Sequence, residues 1–444
     1  MTVSRTICLG FIAVILVGTL LLGLPISTAD GSWGSFITSL FTSTSAVCVT
    51  GLVVVDTGTY FSFVGQVFII LLIQVGGLGY MTATTFLLLL LGRRFGLREK
   101  IAIQQSLDRQ GMSGVVQLVK SIIAMTLIIE LTGTFAMMPV FIPQFGWPGG
   151  IWMSLFHSIS AFNNAGFGLL PDNLISYATS IPINLVIPLL IIFGGIGYQV
   201  IMELYLWARD RLTGSKECLL FPLNFKIAVS TTLFLLVTAT IGLFFIEFTN
   251  PGTLGNFNLG EKALVAWFQA VVPRTAGFNS IDYGKMTTAG LFFTILLMFI
   301  GANPGGTGGG IKTTTFRILF STTKAVLQGK DEVLCYQRQI PQDLVLKAVG
   351  VVFGSMSTVV LSTILIALTD PQIDFIRVLF ESVSAFATVG LSTGITASVS
   401  TLGKLVLVAT MYVGRVGVLL LMSALLGDPN PTSVHYPEEN LLIG

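Results

Sequence analysis

Ser384 to Leu391 reads SAFATVGL, a small-residue, uncharged stretch centred on Thr-Val-Gly, and related stretches end near Gly51 (TSAVCVTGL), Gly166 (SAFNNAGF) and Gly277 (AVVPRTAGF). What these residues offer is main-chain chemistry. A glycine tolerates positive φ, so its neighbours' carbonyls turn toward a common axis without a Cβ clash. Carbonyl oxygens arranged around an axis replace the hydration shell of a cation. The four glycines lie 115, 111 and 113 residues apart. One such glycine reads as a turn after a short helix. Four in register read as a pore lining made of Val49, Thr50 and Gly51; Asn164, Ala165 and Gly166; Thr275, Ala276 and Gly277; and Thr388, Val389 and Gly390.

A second cluster lies at Gly301, Ala302, Asn303, Pro304, Gly305, Gly306, Thr307, Gly308, Gly309 and Gly310, where six of ten residues are glycine. Each glycine costs a helix interior roughly 1 kcal/mol relative to alanine, so the run predicts a flexible non-helical loop. At membrane depth such a loop must line a cavity. Pro304 fixes its own φ and restricts Asn303, which stiffens it. Gly305 to Thr313 approaches a nucleotide-binding loop but fails, because Ile311 separates the last glycine from Lys312. Lys312 and Arg415 are the two cations inside membrane segments. They either slow a passing cation, hold the loop through its carbonyls, or, for Lys312 above all, snorkel to the surface. Asp56, Asp172 and Asp282 follow their glycines by five or six residues, where the fourth repeat has Ile395 and Thr396. They fit cation concentration at a pore mouth and ordinary turn capping alike.

The elements that must position these residues follow from composition. Apolar residues make up 53% of 444, charged residues 10%, and mean hydropathy is +0.86; a soluble chain carries about 25% charged residues. The fold class is therefore an all-α polytopic membrane protein in a lipid bilayer. Four pseudo-repeats are expected, each an outer helix, a re-entrant pore helix with its filter loop, and an inner helix, around one central pore. They divide as 1–92, 93–212, 213–325 and 326–427, with a tail at 428–444. Ile7 to Leu24 is long enough to span and lacks a small-residue cleavage site, so it reads as the first membrane helix. The segments assigned inside hold 16 of the 23 Lys and Arg, those assigned outside five, including Arg274. That bias places the N-terminus in the cytoplasm and all four glycine stretches on the outer side. The inner helices carry glycines (Gly76, Gly77, Gly79; Gly194, Gly195, Gly197; Gly414, Gly417) suited to close packing or bending. Four scattered cysteines and two histidines form no metal-ligand or disulfide pattern. His157 reads as a satisfied structural histidine, and Glu130 and Glu203 as members of structural pairs with basic residues.

The fourfold pattern, the stretches VCVTGL, FNNAGF, PRTAGF and ATVGL, and the interruption GGTGGGIKTT together resemble the Trk/Ktr/HKT superfamily of potassium transporters, closest to the bacterial ion-translocating subunits of the KtrB type. The resemblance covers essentially the whole chain. It implies potassium (K+) uptake, commonly sodium-stimulated, across the bacterial inner (plasma) membrane. It also implies a homodimer with one pore per subunit and a cytosolic nucleotide-binding ring of the KtrA type, the nucleotide residing on that partner. The glycine-rich loop becomes an intramembrane gate faced by Arg415. In the family, serine at the first filter position accompanies sodium preference; Gly51 stands there, which favours K+, with Na+ as a coupling or activating ion. No enzyme activity, cofactor in this chain, resident metal or nucleic-acid partner is expected. The competing readings are a sodium-selective or non-selective cation transporter of the same fold and, from another class, a membrane enzyme or pump accessory subunit. Shared contacts with the ring and the second subunit are expected at Asp108 to Gly114 and in the tail after Gly427.

Overall fold

A computed structural model describes residues 3–79, 115–213 and 221–427. The basic run from Arg93 to Lys100, the segment from Asp108 to Gly114, Lys216 and the tail beyond Gly427 lie outside the described residues.

Among the described residues, four helices are long and apolar enough to cross a membrane: Ser4–Gly23, Val119–Phe162, Leu223–Ile246 and Gln342–Thr369. They carry the exposed large apolar side chains, among them Leu20, Phe135, Phe234 and Phe353. Such exposure on every outer helix suits contact with hydrocarbon rather than water. Beside each stands a shorter helix too brief to cross: Phe36–Val47, the part of Val115–Phe162 beyond Gly146, Leu259–Val271 and Phe375–Phe386. In the second repeat the outer and re-entrant helices form one run. Gly146 at φ 71° and ψ 174° turns the chain between them, and Pro148 starts the return.

The sequence predicts that the third inner helix breaks at Gly301 to Gly310 and that the others run on, with glycines suited to packing or bending; the structure breaks the second, third and fourth. The first runs Phe63–Leu78 and stops at Gly79, with φ 79°. The second and fourth bend by 105° and 93°, at Gly197 (φ 98°) and Gly417 (φ 88°). The third stops after Thr288–Phe299 and resumes at Thr313–Leu327. A positive-φ residue ends one helix and re-aims the next, so Gly197 and Gly417 make the bends in the second and fourth clusters. Gly76, Gly194 and Gly414 do the packing: a Cβ there would press on the carbonyls of Val47, Phe162 and Phe386. The described residues are mostly helical, as expected, with one short hairpin beside the helices. Leu334–Cys335 pairs antiparallel with Arg338–Gln339, across Tyr336 and Gln337 at φ 49° and 61°, the left-handed pair of a tight hairpin turn.

Each inner helix packs on the re-entrant segment of the following repeat. Phe63–Leu78 meets the second, Ile181–Ile196 the third, Thr288–Phe299 the fourth and Thr401–Val416 the first. The last of these contacts closes a circle. Helices Val3–Gly23 and Val418–Leu426, from opposite chain ends, also pack together, and the Arg5 side chain donates 2.7 Å to the Ala424 carbonyl. The core consequently lies among the re-entrant helices, with Phe41, Phe156, Phe268 and Phe380 fully buried, one from each.

Candidate functional site

Each re-entrant helix ends in a loop of one conformation. Val49, Asn164, Thr275 and Thr388, two residues before the four glycines, are left-handed at φ 57°, 57°, 65° and 52°. Gly51, Gly166, Gly277 and Gly390 are left-handed at 92°, 69°, 70° and 88°. A left-handed β-branched residue is an outlier that only surrounding structure sustains, and three of these four are Val or Thr. The amides of Thr50, Ala165 and Val389 donate to the carbonyls of Ser45, Ser160 and Ser384 at 2.7 to 2.8 Å. In the third loop Ala276 donates to Val272 at 3.0 Å, a turn one residue tighter.

The four loops meet. A Cβ on Gly51 would lie 2.5 Å from the Ala165 oxygen; on Gly166, 2.8 Å from the Ala276 oxygen; on Gly277, 2.7 Å from the Val389 oxygen; and on Gly390, 2.1 Å from the Thr50 oxygen. The relation runs 51 to 165, 166 to 276, 277 to 389 and 390 to 50, a closed ring of main chain. All twelve residues from Val49 to Gly390 named above are buried.

Against one face of this ring lies the loop Gly301 to Gly310. It is non-helical, as its composition predicts, but held rather than loose. Asn303 and Thr307 amides donate to the Gly195 and Gly194 carbonyls at 3.0 and 3.1 Å, and Tyr198 donates to the Gly305 carbonyl at 3.2 Å. The Thr307 hydroxyl donates to Asn164 Oδ1 at 3.0 Å, and the Gly309 amide to Thr388 Oγ1 at 3.2 Å. Its glycines serve close approach: Cβ atoms at Gly308 and Gly309 would fall 2.0 and 2.4 Å from Thr275 and Thr388 Oγ1. The Arg415 guanidinium donates to the carbonyls of both Thr307 and Gly76, strapping the loop to the first inner helix. Lys312 does not snorkel away. Its Nζ turns back to the Gly308 carbonyl at 2.8 Å.

Two cavities flank the ring. One, of about 300 Å3, is lined by the four glycines and by Asp56, Asp172 and Asp282, with Thr396 in the fourth repeat. The other, of about 550 Å3, borders the loop and carries Lys312 and Arg415. The three acids also cap: Asp56 accepts from Gly58 N at 3.2 Å, Asp172 from Ser176 N at 2.9 Å and Asp282 from Gly284 N at 2.9 Å. Placement at a cavity mouth and turn capping are both true of them.

Three placements differ from the sequence reading. Arg274 belongs to no outer loop. It is buried beside the third glycine loop, Nη2 3.5 Å from the Gly301 carbonyl and Nη1 without a partner among the described residues. Its place inside PRTAGF, three residues before the glycine, was the available signal. Glu130 pairs with amides, not a base: Asn163 Nδ2 donates to it at 2.9 Å and Gln74 Nε2 lies 3.4 Å away, which joins the second filter stretch to the first inner helix. His157 is only half satisfied, with Nδ1 2.8 Å from the Met153 carbonyl and Nε2 without a partner among the described residues. Glu203 accepts from Gln199 at 3.1 Å.

A lipid-facing helical bundle whose re-entrant helices point four carbonyl-bearing loops at one centre defines a membrane transport protein, not an enzyme. The sequence fits the TrkH model, described as cation transport protein, over residues 6–433, and the chain belongs to that family. It is 40% identical over 443 residues to the Ktr system potassium uptake protein B of Bacillus subtilis, covering 100% of this chain and 97% of that one. It is 38% identical over 445 residues to the potassium/sodium uptake protein NtpJ of Enterococcus hirae, covering 99% and 97%. Its fold matches the crystal structure of the potassium transporter TrkH from Vibrio parahaemolyticus with a TM-score of 0.72 at 18% identity, over 95% of this chain and 85% of that one.

Proposed function

We propose that this chain is the potassium-translocating subunit of a Ktr-type uptake system in the plasma membrane. The observation that carries the reading is the closed ring in which each of the four glycines abuts the carbonyl preceding the next. A K+ ion sheds water in the acidic cavity, exchanges it for the ring carbonyls, and leaves through the basic cavity once the loop from Gly301 to Gly310 withdraws. The loop is the gate, and Arg415 and Lys312 hold it shut through its carbonyls.

The finer parts of the reading rest on the sequence. The distribution of Lys and Arg supports a cytoplasmic N-terminus, which makes the acidic cavity the outer mouth. The kinship with Ktr proteins supports a homodimer assembled on a nucleotide-binding ring, and the Enterococcus relative's name makes Na+ a candidate coupling ion. Expression in a bacterium lacking its own potassium uptake tests the whole. Growth at limiting K+ should be restored, more fully with a ring subunit and with Na+; a membrane-inserted chain that restores none would refute it.

The acids make a separable expectation. Asparagine keeps the capping oxygen and removes the charge, so Asp56→Asn with Asp172→Asn should raise the apparent KM for K+ about threefold at low ionic strength. The rise should fade in high salt, where surface charge is screened. A KM unmoved at low salt would leave these residues with capping alone.

A further inference from the structure

Immediately after the four buried phenylalanines come Thr42, His157, Gln269 and Glu381, also buried. They stand nine, nine, eight and nine residues before their glycines, and the odd offset falls in the repeat whose turn is one residue tighter. Gln269 and Glu381 stand behind the segments that leave the third and fourth loops, and a Cβ on Gly168 would lie 3.4 Å from His157 Nε2. What they do there differs. Glu381, on Phe375–Phe386, accepts from the Ser392 hydroxyl and from Thr396 Oγ1 at 3.2 Å, and these two hydroxyls lie 2.9 Å from each other. Gln269 donates to Ser280 Oγ at 3.0 Å and accepts from the Tyr283 hydroxyl at 2.5 Å. His157 Nε2 and Thr42 Oγ1 have no partner among the described residues. Two quarters of the ring are tied from behind and two are not.

We propose that Glu381 is a specificity-determining positioning residue, which braces the segment beyond Gly390 and thereby fixes the fourth quarter of the ring. The inference rests on the reading of that ring as a potassium filter. Thr396 stands where the second repeat places Asp172, six residues past the glycine. The carboxylate missing from the fourth quarter of the mouth is present one layer deeper, bonded to Thr396. A buried carboxylate is retained only where donors satisfy it, and both of its hydroxyl donors belong to the segment after Gly390 that must stay in place. Discrimination between K+ and Na+ depends on where the carbonyls are held, whereas insertion and overall throughput do not need the brace.

Uptake of K+ with Na+ as competitor, in the full chain in a potassium-uptake-deficient bacterium, tests this. Glu381→Ala should lower the K+ over Na+ preference about tenfold while the maximal rate stays within about threefold. Glu381→Gln, which keeps the shape and one acceptor, should recover most of the preference. A general defect would reduce both ions alike and Gln would not rescue it. Should the alanine variant fail to insert, Ser392→Ala with Thr396→Val cuts the same bonds from the other side and should give the same loss. A wild-type chain with no preference for K+ overturns the functional reading itself. A wild type that prefers K+, with an unchanged preference in whichever of these variants inserts, overturns the brace alone.

Discussion

Gly51→Ser is expected to lower the preference of this protein for K+ over Na+ by at least about tenfold, with the chain still inserted. The cause is geometric. At φ 92° a Cβ on residue 51 would lie 2.5 Å from the Ala165 oxygen and 3.0 Å from the Gly166 Cα, both main-chain atoms that cannot swing aside. The left-handed conformation adds roughly 1–2 kcal/mol for any residue with a Cβ. Relief requires the first and second loops to part, which displaces the Thr50 and Ala165 carbonyls from the ring. A tenfold change corresponds to about 1.4 kcal/mol, which lies within the range of the left-handed strain alone before the main-chain overlap is added. Competitive uptake of K+ against Na+ measures it, and an unaltered ratio would remove Gly51 from the filter.

Arg415→Ala should raise the maximal rate of K+ uptake about tenfold. The guanidinium bridges the Thr307 and Gly76 carbonyls, and hydrogen bonds from a charged donor contribute roughly 1.5–3 kcal/mol each. Losing the strap shifts the loop toward withdrawal by up to that amount, and only the differential stabilisation of the two loop positions matters. It also removes a positive charge from the cavity that borders the loop. Arg415→Lys keeps the charge but not the two-pronged reach, so its rate should fall between those of the wild type and the alanine variant. Initial-rate tracer uptake, normalised to membrane-inserted protein, separates these cases. Transport abolished in an inserted Arg415→Ala chain would show that the arginine conducts rather than restrains. Shortening the loop between Gly305 and Gly310 should act in the same direction, since it removes the residues that meet Thr275 and Thr388.

Much of the fold was legible because lipid leaves the backbone few options. Long apolar runs become helices, and polar main chain at membrane depth must be enclosed by protein. The spacing of four glycines therefore pointed to their meeting before any coordinates did. The bends at Gly197 and Gly417 were less legible, since a glycine serves close packing and left-handed turning alike and only its φ tells which. The hairpin at 334–339 escaped notice because two-residue strands leave no periodicity. Arg274 was misplaced by a rule that counts charges by loop and is blind to depth. Glu381 went unread because its partners, Ser392 and Thr396, lie on the far side of the filter turn.

The sequence by itself determined the class of protein and pointed to four glycine stretches that meet and to a non-helical loop at 301–310, because composition and spacing are properties of the chain. The tertiary structure alone decided that the ring closes from Gly390 back to Thr50, that Arg415 reaches both Thr307 and Gly76, and that Glu381 bonds Ser392 and Thr396 while His157 Nε2 has no partner among the described residues. The longest of those contacts, Gly390 to Thr50 and Arg415 to Gly76, join residues 340 and 339 positions apart. Their strength depends on ångström distances that no local pattern encodes.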